Sequence, residues 1–221
     1  MPKAKKGIPE DWEKFSSCGR QIEGTPFVAF KVPLAESFFY SQVNAKEDAN
    51  DFSAPWTLKI LRKRQPNLDV VIDLTNTTKY YLPSDCQTAK VRHFKILTKG
   101  HAIPDQKVIQ QFFDIVDAAL EKNKDCVVGV HCTHGINRTG YLICRYMIQK
   151  LDWEPATAIK EFAESRGHRI ERGSYLKDLE DARWVNQQPQ RRAENVSNLS
   201  LFDCLFVCLF VCLFVCSFVF V

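Results

Sequence analysis

The sequence lacks the cysteine pattern of a secreted, disulfide-bonded protein. Of its nine cysteines, five are scattered singly through residues 1–200, and their number is odd and their spacing unpaired, whereas disulfide scaffolds carry paired cysteines. An apolar segment is also missing from the first twelve residues, which contain no secretory signal pattern. Charge of one sign does not dominate, since the formal net charge is only +4. We therefore expect a mildly basic protein of a reducing compartment, not a secreted one.

Charge is almost absent from the last 21 residues, where Leu-Phe-Val-Cys repeats and Asp203 is the one charged group. A helix of this length would span about 31 Å, enough to cross a bilayer as a tail anchor. Perfect tetrapeptide repetition is more typical of translated simple-sequence DNA, which is the interpretation we favour. A membrane is thus an expected partner only if this segment is a true anchor. We divide the chain into a basic lead (1–7), a catalytic domain (8–187), a polar linker (188–200) and a low-complexity apolar tail (201–221).

Apolar runs of strand length alternate with segments of helical spacing through most of the chain. Strands are predicted at 27–32, 68–74, 91–97 and 126–130, and helices at 55–65, 104–120, 138–151 and from 155 and 174 onward. Residues 35–54 show no clean period, and Ser53 is the expected cap of the first helix. Alternating strands and helices predict an α/β domain with a central, mostly parallel sheet flanked by helices.

The segment from His131 to Gly140 joins a predicted buried strand to a predicted helix, and it concentrates reactive residue types. Cys132 precedes the helix N-terminus, where the helix dipole and backbone N–H groups favour the nucleophilic thiolate. Arg138 offers a planar fork of donors to phosphate oxygens, and Thr139 can donate its hydroxyl to the sulfur when the sulfur leaves. These residues predict a phosphatase that passes through a cysteinyl-phosphate intermediate.

The loop between these residues is suited to wrap an anion. Its backbone N–H groups can converge on phosphate, Gly135 permits the tight curvature, and His131 is expected to orient the loop by hydrogen bonding. The predicted phosphate-binding residues are Thr133, His134, Gly135, Ile136, Asn137 and Arg138. His131, Cys132 and His134 could instead suggest metal ligands, but no second Cys/His cluster completes a tetrahedral site. We expect neither a metal nor another cofactor.

The pattern His131-Cys132-x-x-Gly135-x-x-Arg138-Thr139 resembles the signature of the cysteine-based protein-tyrosine and dual-specificity phosphatases. The longer string through Cys144, with 24–34 and 166–168, is similar to the branch of that family that removes phosphates from RNA 5′ ends, which includes the RNA/RNP-complex-interacting phosphatases. The resemblance covers about residues 8–187 and implies a cysteine-phosphatase (protein-tyrosine-phosphatase-like) fold. It also implies RNA 5′-triphosphatase and diphosphatase activity, a nuclear and in part cytoplasmic location, and ribonucleoprotein complexes as partners.

A carboxylate is missing where ordinary members of the family carry their general acid. The corresponding stretch reads Thr98-Lys99-Gly100-His101, and the nearest acidic residue, Asp105, is displaced toward a helix start. Asp105 is a candidate acid, but an acidic residue in a first helical turn is the interpretation we favour. Splitting a phosphoanhydride expels a phosphate whose last ionisation lies near pH 6, so it needs less protonation. The absent acid therefore favours an anhydride substrate, namely RNA with a 5′-triphosphate or diphosphate end.

Positive side chains flank the loop in the sequence and could converge on such a substrate. The candidates for contact with the triphosphate or the RNA are Lys99, His101, Arg166, Arg169 and Arg172, together with His134 and His168.

Two rival functions remain open on the sequence alone. A dual-specificity protein phosphatase would share every loop residue and differ only in substrate. A non-catalytic RNA- or phosphoprotein-binding module is disfavoured because a pure binder could lose Cys132, which is present.

Overall fold

A single sheet of five strands organises the part of the chain that the computed structural model describes, residues 8–35 and 56–182. The strands are β1 (Cys18–Gln21), β2 (Phe27–Phe30), β3 (Leu68–Asp73), β4 (Arg92–Lys95) and β5 (Val127–His131). Their spatial order is β1-β2-β5-β3-β4, and β1 alone runs antiparallel to its neighbour. The predicted α/β fold with a mostly parallel sheet is confirmed.

Alternating side chains place two apolar layers on opposite faces of the sheet, because successive residues of a strand point to opposite sides. Phe27, Ala29, Val128 and Val130 pack into the larger cluster, while Val28 and Phe30 pack into the smaller one. Both layers are buried, which explains why these strands read as continuous apolar runs.

Six α-helices cover these faces in the described residues. They are α1 (Leu58–Arg64), α2 (Pro83–Thr88), α3 (Gln106–Lys122), α4 (Asn137–Lys150), α5 (Pro155–Arg166) and α6 (Gly173–Asp181), preceded by a 3₁₀ turn at Trp12–Lys14. Helices α3 to α6 contribute to the larger cluster, and α1 and α2 contribute to the smaller one.

Sequence patterns missed three short elements, namely β1, α2 and the 3₁₀ turn at Trp12–Lys14, and misplaced several boundaries, among them the start of α1. Strand β1 has only four residues and half of them are exposed, and α2 has six residues with little apolar spacing. Helix α1 begins at Leu58 and not near Pro55, because the hydroxyl of Thr57 accepts a hydrogen bond from the N–H of Ile60 at 3.5 Å. Ser53, the predicted cap, lies outside the described residues.

Several other expectations also fall outside the described residues. These are the lead (1–7), most of the irregular stretch (36–54), the end of the predicted domain (183–187), the linker (188–200) and the repeat tail (201–221). No helix among the described residues is long and apolar enough to cross a membrane.

Candidate active site

The candidate site lies at the carboxyl edge of the parallel strands, where β5 ends at His131. Phe30 of β2 and Asp73 of β3 are the register partners of His131 on its two sides. The loop that follows turns directly into α4, whose first residue is Asn137. The fold thus sets Cys132 between the end of a buried central strand and the start of a helix.

Gly135 is the point at which the loop turns. Its φ is +68°, and a Cβ atom there would collide with the backbone carbonyl of Phe30. Only glycine fits both constraints, so the predicted role of Gly135 in curving the loop has a direct steric cause.

The surroundings of Cys132 lower the pKa of its thiol. Cys132 is 4% exposed, and burial alone would raise its pKa. The positive charge of Arg138, the hydroxyl of Thr139, and the N–H groups of Thr139 and Ile136 oppose burial, so the pKa of Cys132 lies below the ordinary thiol value. Charge and donors outweigh desolvation here, as they do in reactive cysteines generally.

Arg138 is fixed by the structure around it while part of its donor fork stays open. Its Nη1 donates to the carbonyls of Leu74 (3.0 Å) and Thr98 (2.9 Å), and its Nη2 donates to the hydroxyl of Thr133 (3.0 Å). A guanidinium carries five N–H donors. The Nε–H and one Nη2–H therefore remain for an anion, as far as the described residues go.

Thr139 is buried beside the sulfur. Its hydroxyl finds no conventional hydrogen-bond partner among the described residues, yet it helps to lower the pKa of Cys132. The contact with the sulfur is thus looser than an ordinary hydrogen bond, and this hydroxyl is available to a departing thiolate.

A buried polar network behind the loop was not visible in the sequence. The hydroxyl of Tyr81 lies 2.7 Å from Nε2 of His131, and Nδ1 of His131 lies 3.1 Å from the carbonyl oxygen of Cys132. Asp73 Oδ2 is 3.2 Å from the same hydroxyl and accepts from Lys95 at 2.9 Å. His131 is therefore held at both ring nitrogens, which accords with its predicted orienting role.

Arg166 does not reach toward a substrate as predicted. It is 1% exposed, and its guanidinium donates to the loop carbonyls of Gly135 (3.0 Å) and His134 (2.9 Å). The prediction of RNA contact was wrong because helix α5 ends beneath the loop, where all three guanidinium nitrogens of Arg166 donate to the loop carbonyls or to Ser16. A basic residue in a last helical turn gave no sequence signal of such burial.

Two of the three histidines predicted to add positive charge, His134 and His168, are also turned away. Nε2 of His134 donates to the carbonyl of Glu10 at 2.8 Å, and burial lowers the pKa of His134. Nε2 of His168 accepts from the N–H of Ser16 at 3.0 Å, and burial lowers its pKa too. Both imidazoles therefore serve as neutral structural groups, and only the backbone of His134 belongs to the anion-binding loop.

A second connection joins the loop to Arg172 and His101 at the rim. Asn137 Oδ1 accepts from the N–H groups of Glu171 (2.9 Å) and Arg172 (3.1 Å). The Arg172 guanidinium in turn donates to His101, with Nη1 3.0 Å from Nδ1. Arg172 and His101 are thus brought together next to the loop, whereas the Asn137 side chain acts as a brace between two loops.

Lys99 and Arg169, the remaining predicted cations, are exposed. The carbonyl of Thr98, adjacent to Lys99, contacts Arg138. The loop from Thr98 to His101 therefore borders the site and brings it the cation Lys99 instead of a carboxylate.

Asp105 caps helix α3. Its carboxylate accepts a hydrogen bond from the N–H of Val108 at 2.9 Å, the capping interaction typical of aspartate. This agrees with the favoured interpretation of Asp105 as a residue of the helix start.

No group of three or more His, Cys, Asp or Glu side chains arranged to hold a metal ion occurs in residues 8–35 and 56–182. Taken together, an activated thiol, a loop of converging N–H groups and an arginine fork at the end of a parallel strand define a cysteine-dependent phosphatase. The comparison with known proteins gives the family. Residues 57–183 match the dual specificity phosphatase catalytic domain, and the chain belongs to this family.

Curated relatives bear names from two functional classes. A tyrosine-protein phosphatase of Autographa californica nuclear polyhedrosis virus is 40% identical over 172 residues, which are 78% of this chain and 98% of the relative. The human RNA/RNP complex-1-interacting phosphatase is 43% identical over 176 residues, 79% of this chain and 52% of the relative. The chain thus spans about half the length of that human relative. The resemblance to the RNA/RNP-complex-interacting phosphatases is confirmed.

Solved structures agree on the fold. PTPMT1 superimposes with a TM-score of 0.54 at 20% identity, covering 80% of this chain and 99% of that one. The human tyrosine phosphatase-like serine/threonine/tyrosine-interacting protein has a TM-score of 0.54 at 11% identity, covering 77% and 98%. The predicted cysteine-phosphatase fold is therefore confirmed.

Proposed function

We propose that this protein removes the γ- and β-phosphates from RNA 5′ ends through a cysteinyl-phosphate intermediate. One observation carries the proposal: the loop from Thr98 to His101 borders Arg138 and contains no carboxylate, while the next acid along the chain, Asp105, is engaged as a helix cap. A phosphate leaving group needs less protonation than an alkoxide does, so such a site suits an anhydride better than a phosphoester.

The reaction follows from the residues around Cys132. The thiolate attacks the terminal phosphorus in line, the bond from phosphorus to the bridging oxygen breaks, and RNA with a 5′-diphosphate leaves. In the transition state, Arg138 and the loop N–H groups stabilise the negative charge on the equatorial oxygens of the transferred phosphoryl group. Water then displaces the sulfur, with Thr139 donating to the departing thiolate, and inorganic phosphate is released. A second round converts the diphosphate end to a monophosphate.

Specificity for a triphosphate would come from cationic and polar side chains at the rim. Arg172 and His101 are held together beside the loop through Asn137, and exposed Lys99 lies in the same bordering loop. These groups would bind phosphates beyond the one under attack, and RNA in ribonucleoprotein complexes would be the natural partner. A nuclear and in part cytoplasmic location belongs to the same proposal.

The second candidate is a dual-specificity protein phosphatase. It is favoured by the family match over 57–183 and by relatives named tyrosine-protein phosphatase at 40% identity. Such an enzyme would use the same nucleophile and the same arginine, with a phosphoester in place of the anhydride.

One experiment separates the two. The full chain is incubated without magnesium with 5′-triphosphorylated RNA and, in parallel, with a phosphotyrosine peptide, and phosphate release is measured beside Cys132→Ser. We expect a higher kcat/KM for the RNA and no turnover by the variant. A preference for the peptide would identify the protein phosphatase instead, and unchanged release by Cys132→Ser would exclude the mechanism.

A rim variant tests the source of the specificity. Arg172→Gln should raise KM for triphosphorylated RNA by about tenfold, the value of one charge-assisted contact, and should affect a small aryl phosphate less. Lys124→Gln is the matched control, because Lys124 precedes β5 and thus lies at the opposite edge of the sheet. If both variants raised KM for the RNA equally, general charge attraction and not a specific contact of Arg172 would account for the binding.

A further inference from the structure

The catalytic loop exposes its carbonyls to the rear of the site, where each requires a donor. The carbonyl of Cys132 faces Nδ1 of His131, and that of Thr133 accepts from the N–H of Val32 at 3.0 Å. The next two carbonyls, of His134 and Gly135, both accept from the guanidinium of Arg166. Donors behind the loop therefore fix which way its peptide groups point, and hence the direction of the N–H groups on the opposite side.

Arg166 takes its own support from the segment before β1. Its Nη2 donates to the carbonyl of Ser16 at 2.8 Å, and its Nη1 donates to the hydroxyl of Ser16 at 2.5 Å. The guanidinium thus bridges two parts of the chain that lie more than a hundred residues apart in sequence. Because Arg166 is buried, loss of either side would leave charged donors without acceptors.

The same segment contacts the loop directly. The carbonyl of Glu10 accepts from His134 at 2.8 Å, and the ring of Phe15 lies 4.8 Å from the ring of His134 and 5.2 Å from that of His168. Residues 10–16 therefore contact the catalytic loop through both polar and aromatic interactions.

A fully buried lysine holds this segment in place. Nζ of Lys31 donates to the carbonyls of Trp12 (3.2 Å) and Phe15 (2.9 Å), and it lies 3.5 Å from the centroid of the Trp12 ring. Lys31 follows β2, the strand beside β5. The segment is thus anchored both to the sheet, through Lys31, and to the catalytic loop.

We propose that residues 10–16 are a positioning element of the catalytic centre, with Ser16 acting through Arg166 to set the anion-binding loop. The element lies outside the matched family domain, which begins at residue 57. It does not touch the substrate. Its effect is to keep the His134 and Gly135 carbonyls directed at Arg166, at the rear of the site. The neighbouring N–H groups then stay aimed at phosphate and at the Cys132 sulfur.

The test uses the full chain and two readouts that do not depend on the RNA substrate. One is the pH midpoint of Cys132 alkylation, followed by peptide mass spectrometry, and the other is protection from alkylation by inorganic phosphate. Ser16→Ala should weaken phosphate protection by about threefold to tenfold, the usual effect of one lost hydrogen bond, and should move the midpoint upward. Ser16→Thr, which retains the hydroxyl, should restore most of both.

Thr25→Ala is the matched control for stability. Thr25 also lies near the N-terminus, and its buried hydroxyl bonds the carbonyl of Ile22 at 2.9 Å, away from the loop. The Thr25→Ala variant should have a lower midpoint of thermal unfolding and leave both readouts unchanged. Should Ser16→Ala fail to fold, Phe15→Leu, which removes ring contacts but no hydrogen bond, should shift both readouts in the same direction. Readouts that stay within twofold of wild type in the folded Ser16 or Phe15 variant, or that move equally in Thr25→Ala, would overturn the proposal.

Discussion

The Tyr81 hydroxyl and Nε2 of His131 lie 2.7 Å apart at the buried end of β5. Burial lowers the pKa of His131 even though nearby Asp73 opposes this, so the imidazole is neutral at pH 7. Nδ1 faces the Cys132 carbonyl and therefore carries the hydrogen, which leaves Nε2 as an acceptor. The one hydrogen of the Tyr81 hydroxyl is shared between Nε2 of His131 at 2.7 Å and Oδ2 of Asp73 at 3.2 Å, and this contact holds the ring with Nδ1 toward the Cys132 backbone.

Tyr81→Phe should lower both stability and activity. Removing the hydroxyl leaves a buried acceptor without a donor, which costs about 1–3 kcal/mol, and it releases the tautomer that holds the Cys132 carbonyl. Urea unfolding and aryl phosphate turnover would measure the two effects. Tyr146→Phe is the comparison, because it removes a similar hydrogen bond, to Asp117 at 2.7 Å, on helices away from the loop. Equal losses of activity in both would show that Tyr81 acts only on stability.

Asp73 should make the protein sensitive to acid. Burial would raise its pKa, but nearby His131 and His93, and Lys95 through a hydrogen bond at 2.9 Å, bring the pKa well below the ordinary value. The unfolded chain therefore takes up the proton first, and stability falls as the pH drops below about 3.9 toward the folded-state pKa.

Asp73→Asn should make the free energy of unfolding less dependent on pH in this acidic range, as measured by urea unfolding at successive pH values. Asp69→Asn should flatten it less, because the pair of Asp69 with Arg92 is 33% exposed on each side and solvent screens it. A curve of unchanged slope in Asp73→Asn would contradict the assignment.

Alkylation near neutral pH should select Cys132 among the described cysteines. Burial raises the pKa of Cys18 to about 11 and that of Cys86 to about 12, while the pKa of Cys132 is lowered. Because the thiolate is the reactive form, Cys132 should react with iodoacetamide along a pH profile centred below the ordinary thiol pKa of about 8.5. Peptide mass spectrometry would record it, and inorganic phosphate should protect. In Arg138→Ala the midpoint should rise; coincident profiles for wild type and variant would argue against activation by Arg138.

Thr139→Val should separate stability from activity. The wild-type hydroxyl is buried without a conventional partner, so a methyl group of similar size should leave the free energy of unfolding unchanged or raise it. Turnover should fall by about tenfold, since the sulfur loses a donor in both steps. Thr25→Val, at a satisfied buried hydroxyl, should show the reverse, with lower stability and normal turnover. A destabilised Thr139→Val would mean that the hydroxyl has a partner in solution.

The sheet and the catalytic loop could be predicted from the sequence because local residue patterns encode both. The buried strands at Val70–Ile72 and Val127–Val130 are continuous apolar runs, and the loop from His131 to Thr139 is a contiguous motif. Helix α2 and strand β1 were missed because they are short and half or more of their residues are exposed, with little periodicity to detect.

The contacts that complete the site join residues distant in sequence, and no spacing rule reveals them. Arg166 looked like a surface cation because its neighbours in the sequence are polar. Its burial depends on Ser16 and on the two loop carbonyls, which only the fold brings to it. Tyr81 and His131 are likewise fifty residues apart. The reactive residues are thus contiguous in the sequence and predictable from it, whereas the contacts that support them arise only from the tertiary fold.

Strand β2 has a practical consequence for anyone trimming this enzyme. A fragment cut to the matched boundaries, 57–183, would discard Phe27–Phe30 and leave the backbone edge of β5 unpaired immediately before the nucleophile. An uncovered edge of apolar, β-branched residues is a template for intermolecular pairing. Such a fragment should precipitate or form inactive oligomers, and its failure would reflect the exposed edge and not any weakness in the chemistry of Cys132.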